Sequence, residues 1–260
     1  MISLEQVHQR YGDRAVLRDI TVDFPAGRIT SLIGPNGAGK STLLMAMARL
    51  LPISQGRICL GGTDLHRFTA RDYAKRVATL RQSPDVGLRL TVDELVAFGR
   101  FPYSQGNLTR DDRIAVDEAI DFLSLAPLRR SYLDELSGGQ RQLAYLAMTI
   151  AQQTDCLLLD EPLNNLDMKH AVHLMQAIRR LCDEQGRTVI LVVHDINFAA
   201  NYSDHIVAMK GGALVDSGPV ARMVTPARLE ALYDLRFDIL PSDRGLLCNY
   251  FNPTPSGELL

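Results

Sequence analysis

Several features that would point to other classes of protein are missing from this 260-residue chain. Its four cysteines, at positions 59, 156, 182 and 248, show none of the paired spacings of a metal site. Cys156 lies in an apolar run and is interpreted as a core residue. Scattered, unpaired cysteines are typical of proteins kept in a reducing compartment. We therefore expect a chain that works in the cytoplasm without a cysteine-bound metal.

Long apolar runs and an excess of positive charge are also missing. No stretch approaches the ~20 apolar residues that a membrane helix needs, and we expect no signal peptide because no basic segment precedes an apolar one. The 28 Lys and Arg residues against 30 Asp and Glu residues give a net charge of −2. That balance offers no basic surface, so we expect no nucleic-acid partner. Any membrane-spanning part must then come from another chain.

A glycine-rich loop between a predicted strand and a predicted helix is the first positive signal. Residues 28–33 are apolar and β-branched, and residues 43–48 favour a helix. Glycines let the loop backbone approach a phosphate with its N–H groups turned inward, and the helix N-terminus adds partial positive charge. The candidate nucleotide-binding residues are Gly34, Asn36, Gly37, Ala38, Gly39, Lys40, Ser41 and Thr42.

Two side chains of this loop carry specific chemistry. We expect Lys40 to reach the β- and γ-phosphates of a nucleotide and the Ser41 hydroxyl to ligate Mg²⁺. Thr42 is predicted to add a phosphate contact. A glycine-rich turn without a ligand is the alternative, but the strand–loop–helix context favours a phosphate-binding loop.

An acidic pair follows a second apolar strand, at residues 156–159. Asp160 and Glu161 come at its carboxyl end, where ligands bind in parallel α/β sheets. Asp160 is predicted to hold Mg²⁺, directly or through water, and Glu161 to polarise the attacking water as general base. A solvated acidic pair at the start of a loop is the alternative. The upstream Lys40 favours the catalytic interpretation.

Between these two motifs, residues 136–140 read Leu-Ser-Gly-Gly-Gln. With the three motifs in this order, the chain resembles the nucleotide-binding subunits of ABC transporters over nearly its whole length. The resemblance implies an α/β fold, a P-loop NTPase core of the ABC type whose mixed sheet with flanking helices carries an inserted helical subdomain. It also implies ATP and Mg²⁺ as cofactors, and ATP hydrolysis coupled to transport.

The resemblance assigns roles to three further side chains. Tyr11 is similar to the aromatic residue that stacks on adenine. Gln82 resembles the glutamine that contacts Mg²⁺ and the attacking water and senses the transporter. His194 resembles the switch histidine that contacts the γ-phosphate. Each has an ordinary alternative: a core tyrosine, a loop amide and a histidine satisfied at a strand end.

Two loops resemble the elements that act across an interface between two subunits. The signature residues Ser137, Gly138, Gly139 and Gln140 would close on ATP held by the other subunit. Ser137 also suits the N-cap of a following helix. Residues 165–167 resemble the D-loop, in which Asp167 is a nucleotide-site candidate. Leu143 stands where the family commonly has arginine, so one cation is missing from the signature helix.

A closer resemblance lies in residues 98–106 and 161–170, which are similar to ATPases of bacterial iron–siderophore importers, catecholate systems above all. It implies integral membrane permease subunits, a second copy in an ATP-sandwich homodimer and, indirectly, an extracytoplasmic siderophore-binding protein. The chain would lie peripherally on the cytoplasmic face of the bacterial inner membrane. A soluble single-cassette ABC ATPase, a regulatory cassette without catalysis, or an importer ATPase for cargo such as cobalamin or haem are the alternatives.

The pattern along the chain predicts one domain over residues 1–260. We expect a helical subdomain at about residues 88–153, inserted in a RecA-like core, and a short C-terminal tail at about residues 219–260 with a helix at 226–233. The tail is assigned a packing role. Residues 88–103 are the candidate groove for a coupling helix of the permease, through Phe101 and Tyr103. The alternative is that both aromatics simply pack the helical subdomain.

Overall fold

The computed structural model describes residues 1–81, 89–164, 166–243 and 245–251. The strands are β1 (Ile2–Tyr11), β2 (Arg14–Phe24), β3 (Ile29–Ile33), β4 (Gln55–Leu60), β5 (Thr63–Asp64), β6 (Val77–Leu80), β7 (Cys156–Leu159), β8 (Thr188–Val192), β9 (His205–Lys210), β10 (Ala213–Pro219), β11 (Asp238–Ser242) and β12 (Gly245–Asn249). The α-helices are α1 (Lys40–Met47), α2 (Ala70–Ala74), α3 (Val92–Phe98), α4 (Phe101–Ser104), α5 (Arg110–Phe122), α6 (Gly138–Ala151), α7 (Met168–Gln185), α8 (Ile196–Tyr202), α9 (Val220–Met223) and α10 (Pro226–Tyr233).

A six-stranded mixed sheet in the order β10–β9–β3–β8–β7–β6 forms the centre of the molecule. All neighbouring pairs from β9 to β6 are parallel, and β10 is antiparallel to β9. Every residue of β3, β7 and β8 is buried, because helices or the second sheet cover both faces. The carboxyl ends of these three adjacent strands therefore meet at one edge, which is where the polar motifs follow them.

A second sheet, antiparallel and in the order β2–β1–β4–β5, covers one face of the first. Its inward-facing residues form one hydrophobic core with α1 and with the facing side of the central sheet, including Phe24, Leu43 and Leu158. This packing fixes α1, and with it the loop that precedes α1, between the two sheets.

The helices α3 to α6 occupy the chain between β6 and β7. Thr91 and Glu94 form a capping box at the start of α3, and Ser137 is confirmed as the N-cap of α6. A buried ion pair joins Arg100 Nε to Asp112 Oδ1 at 2.8 Å. These helices lie where the inserted subdomain is predicted at about residues 88–153. That these helices form an inserted subdomain, and that residues 1–260 form one domain, stay predictions.

The predicted helix of the C-terminal tail is present as α10, but the β11–β12 hairpin was not expected from the sequence. Its strands are short and mostly exposed, so no clear alternation of apolar and polar residues marks them. Hydrogen bonds from β12 to side chains of α8 hold the hairpin in place. In the described ranges, no helix is long and apolar enough to cross a membrane.

Candidate active site

The loop between β3 and α1 has the backbone geometry of a phosphate cradle. Gly37 and Gly39 adopt positive φ angles of 76° and 96°, which side chains other than glycine rarely adopt. At Gly34 a Cβ atom would lie 2.0 Å from the carbonyl oxygen of Met209 in β9, so only glycine fits. The loop then ends at the N-terminus of α1, whose free N–H groups favour an anion.

Lys40 is almost fully buried, with 5% of its surface exposed. Its Nζ donates to the carbonyl oxygens of Gly34, at 2.7 Å, and of Pro35, at 3.0 Å. Burial lowers the pKa of Lys40, while the nearby Glu161 and Asp160 carboxylates act in the opposite direction. The amine is therefore held within the loop itself, directed by main-chain oxygens.

Asp160, directly after β7, has a carboxylate that is incompletely satisfied. The Ser41 hydroxyl hydrogen-bonds it, and burial raises its pKa above the ordinary value despite that bond. Its Oδ1 atom is buried and has no hydrogen-bond partner within the described part of the chain. A hydroxyl and an unsatisfied carboxylate oxygen are ligands that suit Mg²⁺.

No group of three or more His, Cys, Asp or Glu side chains that could hold a metal occurs in the described ranges. Mg²⁺, by its ordinary chemistry, is usually bound through one or two protein oxygens together with substrate phosphates and water. Ser41 and Asp160 therefore fit a metal that arrives with its nucleotide.

Glu161 has a strained backbone, with φ at 49°, as is common at functional sites. Its Oε1 lies 2.7 Å from His194 Nε2, which follows β8. The side-chain amide of Asn164 donates to its Oε2. Both carboxylate oxygens are thus oriented by neighbouring side chains. Glu161 and His194 were predicted from the sequence, whereas Asn164 was given no role.

A cavity of about 400 Å³ connects these groups. It is lined by Tyr11, Arg14, Val16, Asn36, Gly37, Ala38, Gly39, Lys40, Ser41, Thr42, Glu161 and His194. Tyr11 is half exposed at the cavity mouth, so the alternative of a core tyrosine is wrong. Arg14 and Val16 were missed; they reach the cavity because the β1–β2 turn pairs Arg14 with Tyr11. We call Lys40, Ser41, Asp160, Glu161 and His194 the phosphate cluster.

The signature residues lie elsewhere. Ser137 Oγ accepts from Gln140 N at 3.2 Å and Gln140 Oε1 accepts from Ser137 N at 3.0 Å, which closes a capping box on α6. Ser137 and Gly138 are exposed, whereas Gly139 is buried. None of Ser137, Gly138, Gly139 and Gln140 lines the 400 Å³ cavity of the same chain.

Asp167 and His170, at the start of α7, pack beside the signature. A Cβ atom on Gly139 would lie 2.3 Å from the His170 ring, so the ring sits directly on this glycine. Asp167 Oδ1 accepts from His170 N and lies 2.8 Å from His170 Nδ1. These bonds hold the pKa of Asp167 below its usual value. We call the signature residues with Asp167 and His170 the signature cluster.

Gln82 and Asn165 lie outside the described residues, so the predicted roles of Gln82 at the metal and the attacking water stay predictions.

Leu143, in place of the arginine common in the family, packs partly buried against the core of the helices. The substitution therefore exchanges a cation for apolar contact.

Comparison with known proteins now identifies the family. The model of the family described as ABC transporter matches residues 17–164. The chain belongs to this family. It is an ABC-type ATPase, and the α/β fold with a mixed sheet and flanking helices is confirmed. The dimeric structure of MJ0796, a bacterial ABC transporter cassette, superposes with a TM-score of 0.74 at 26% identity, covering 85% of this cassette and 99% of that chain.

Two curated relatives from Bacillus subtilis (strain 168) cover nearly the whole cassette. The petrobactin import ATP-binding protein YclP is 46% identical over 97% of this cassette and 100% of the relative. The iron(3+)-hydroxamate import ATP-binding protein FhuC is 40% identical over 94% of this cassette and 91% of the relative. The similarity therefore extends well beyond the shared ATPase motifs.

Proposed function

We propose that this cassette uses ATP to power the import of a ferric siderophore across the bacterial cytoplasmic membrane. The observation that carries the proposal is the likeness to YclP, which is 46% identical and spans 97% of the cassette. The catecholate class is the narrower part of the proposal and rests on the sequence resemblance at residues 98–106 and 161–170. Its relative FhuC is named for hydroxamate import, so cargo differs among ATPases this similar.

The chemistry that we propose follows from the phosphate cluster. Lys40, which now donates to two main-chain oxygens, would donate instead to the β- and γ-phosphates of ATP. Ser41 and Asp160 would hold Mg²⁺, which neutralises charge on the phosphates when bound. Tyr11, at the cavity mouth, would stack on adenine.

Glu161 is the proposed general base, since its carboxylate is already oriented by two side chains. His194 shares a short contact with Glu161 and would reach the γ-phosphate from the same edge of the sheet. Because Glu161 is held by His194 and Asn164, it enters catalysis pre-oriented, and a water between Glu161 and the γ-phosphate would lose its proton to the carboxylate.

A second copy of the chain is the proposed partner at the ATP site. The signature cluster does not line the cavity of its own chain, yet its exposed helix N-terminus suits an anion. Two copies arranged head-to-tail about a two-fold axis would bring each signature onto the partner's phosphate loop. The dimeric cassette structure at 26% identity supports this arrangement.

We also propose that integral membrane permease subunits dock on a groove between α2 and α4. The groove is lined by Ala70, Arg71, Ala74, Phe101, Pro102 and Gln105. Phe101 is 58% exposed there. Tyr103, in contrast, packs with Arg100 at 3.9 Å and Lys75 at 5.2 Å from its ring. Of the two aromatics considered for the coupling helix, Phe101 is therefore the contact and Tyr103 a packing residue.

In this proposal the chain would lie peripherally on the cytoplasmic face of the inner membrane, with an extracytoplasmic siderophore-binding protein as indirect partner. Phe101→Ala should uncouple uptake from ATP binding, because the groove shares no lining residue with the cavity of the phosphate cluster. Tyr103→Ala is the matched comparison and should mainly lower thermal stability. Unchanged uptake by the Phe101→Ala protein would remove the groove assignment.

The cargo is tested by uptake of radiolabelled iron in cells that lack this chain, complemented with wild type or Glu161→Gln. Iron is supplied separately on catecholate, hydroxamate and citrate carriers. We expect uptake of the catecholate complex alone to be lost and to be restored only by wild type. Loss on another carrier would correct the cargo class. Normal uptake on all three would exclude siderophore import and favour cargo such as cobalamin or haem.

A further inference from the structure

The C-terminal segment packs against β3, the strand that leads into the phosphate-binding loop. Ile33, the last residue of β3 before the phosphate loop, shares a hydrophobic cluster with Leu229 and Leu232 of α10 and with Phe237. The end of the strand beside the loop is thus buried by residues from the far end of the sequence. Gly34 and Tyr233, which share a hydrogen bond, are 199 positions apart. The tail therefore covers the strand that presents the loop.

The C-terminal end of α10 is fixed to β9 by one lysine. Lys210 Nζ donates to the carbonyl oxygen of Ala231 at 3.0 Å and to Asp234 Oδ2 at 2.8 Å. A cation at this position also complements the partial negative charge of the helix end. Because β9 pairs with β3, the end of α10 is held at a set distance from the start of the loop.

Tyr233, the last residue of α10, contacts the loop directly. Its hydroxyl oxygen accepts a hydrogen bond of 3.2 Å from the Gly34 N–H. The carbonyl oxygen of the same glycine accepts from Lys40 Nζ at 2.7 Å. Since Met209 closes the space beside Gly34, both peptide groups of this glycine are restrained. Tyr233 and Lys40 thus hold two consecutive peptide planes of the loop.

The hydroxyl of Tyr233 stays neutral and available for this bond at physiological pH. Burial raises the pKa of Tyr233 to about 12, while the Gly34 hydrogen bond acts in the opposite direction. The ring is held by packing, with its centroid 5.9 Å from that of Phe237. A buried, packed tyrosine with a partnered hydroxyl can impose a fixed position on the group that it contacts.

The same segment also contacts the helix that follows His194. Asn201 of α8 donates from Nδ2 to Leu246 O and accepts at Oδ1 from Leu246 N, both at 2.8 Å. Asn197 Oδ1 accepts from Cys248 N at 2.7 Å. These bonds pair side-chain amides of α8 with the β12 backbone as a strand would, so the hairpin and α8 are joined as one unit.

We propose that Tyr233 is a positioning residue for ATP binding, which sets the Ile33–Gly34 peptide of the phosphate loop and makes the C-terminal segment part of the ATP site. The packing role assigned from the sequence is then incomplete. The proposal rests on the ATP site and not on the transported cargo. Its outcome is read on the purified chain, so it can fail while the siderophore proposal stands, and the reverse.

The test compares Tyr233→Phe with Tyr250→Phe. Both remove one hydroxyl from the same aromatic cluster, since the Tyr250 and Phe237 ring centroids are 5.6 Å apart, but only Tyr233 bonds to the loop. We expect Tyr233→Phe to weaken ATP binding in EDTA and to raise the KM for ATP by about 2- to 10-fold, the effect of losing one neutral hydrogen bond. The kcat at saturating ATP should change less than about 2-fold, and Tyr250→Phe should match wild type.

A second readout observes Gly34 itself. Ile33–Gly34 is the only Ile-Gly pair in the sequence. Labelling isoleucine carbonyls with ¹³C and glycine amides with ¹⁵N therefore gives a single NMR signal, selected through the one-bond coupling between Ile33 C′ and Gly34 N. Tyr233→Phe should shift this signal and speed its amide exchange, while Tyr250→Phe should leave it in place. A general loss of packing would move both variants together.

Lys210→Met reaches the same contact without altering an aromatic ring, because it releases the end of α10 from β9. We expect the same shift of the Gly34 signal and a weaker loss of ATP affinity. The proposal is overturned if Tyr233→Phe binds ATP like wild type with an unmoved Gly34 signal. It is also overturned if Tyr233→Phe and Tyr250→Phe weaken ATP binding equally.

Discussion

The phosphate cluster and the signature cluster differ in how far one chain completes them. In the phosphate cluster, the ends of three adjacent buried strands bring Lys40, Glu161 and His194 to one cavity, where Glu161 Oε1 lies 2.7 Å from His194 Nε2. In the signature cluster, Ser137 is exposed at a helix N-terminus whose hydrogen bonds are internal to its capping box. The phosphate cluster is assembled within one chain, whereas the signature cluster is exposed and is proposed to face the ATP held by a partner chain.

The two clusters differ because the ends of parallel strands hold one and a capped helix end holds the other. Parallel strands fix their carboxyl ends to within a strand spacing of each other, so charges placed there interact whether or not a ligand is bound. A capped helix end needs no contact of its own beyond the cap. The signature can therefore lie exposed without leaving buried polar groups unsatisfied.

Lys40→Ala should have the largest effect, because it removes the cation of the phosphate cluster. ATP affinity of the isolated chain should fall by about 1.5–3 kcal/mol, roughly 10- to 150-fold, as charge-assisted hydrogen bonds are lost. Turnover should fall by a further ~100-fold or more, since the same cation stabilises charge in the transition state. Titration calorimetry and phosphate release measure the two effects, with Lys75→Ala as the control. Retained affinity would mean that Lys40 does not face the nucleotide.

Ser137→Arg should distinguish the contribution of the signature cluster from that of the phosphate cluster. A bulky cation at the exposed signature should leave ATP binding by the isolated chain within about 2-fold, because Ser137 does not line its own chain's cavity. Hydrolysis should nevertheless fall by ~100-fold or more, the cost of losing donors that stabilise transferred phosphate. Ser124→Arg, exposed in the same helical region, is the control. Weakened ATP binding by the monomer would place the signature at its own chain's site.

Gly139→Ala should have the smallest effect and should sharpen the account of the signature cluster. The added methyl group meets the His170 ring at 2.3 Å, so overpacking should lower the free energy of unfolding by about 1–3 kcal/mol. His170→Ala makes room, and the double variant should recover much of this loss in thermal or urea unfolding. Strictly additive losses would show that the ring does not restrain Gly139.

The elements that the sequence predicted well are those set by local pattern. The strands, the strand–loop–helix context of Lys40 and the cap at Ser137 depend on residues within a few positions of each other. Asp160 and Glu161 were predicted because ligands bind at the carboxyl ends of strands in a parallel sheet, a rule that needs no side-chain detail. His194 came from the family resemblance.

The residues that were missed depend on contacts between distant parts of the chain. Tyr233 reaches Gly34 across 199 positions, and no local pattern marks its hydroxyl. Asn164 lies three residues from Glu161, but its role follows from a turn in which Glu161 adopts φ 49°. Tyr11 was not missed, but only its 50% exposure excludes the alternative of a core tyrosine, which residue type alone would have favoured. Tertiary geometry, which composition does not specify, decided each case.

The most direct test of the central claim, that two chains complete one ATP site, mixes two inactive variants. In a Glu161→Gln background that slows hydrolysis, one copy carries Lys40→Ala and the other Ser137→Arg, each with a different tag. Sites shared between chains leave one intact site in the mixed dimer, joining Lys40 of one copy to Ser137 of the other. We predict that Mg²⁺-ATP produces a mixed dimer retaining one ATP, while either variant alone stays monomeric. If the mixture retains no more ATP than the separate variants, the site is not shared between chains.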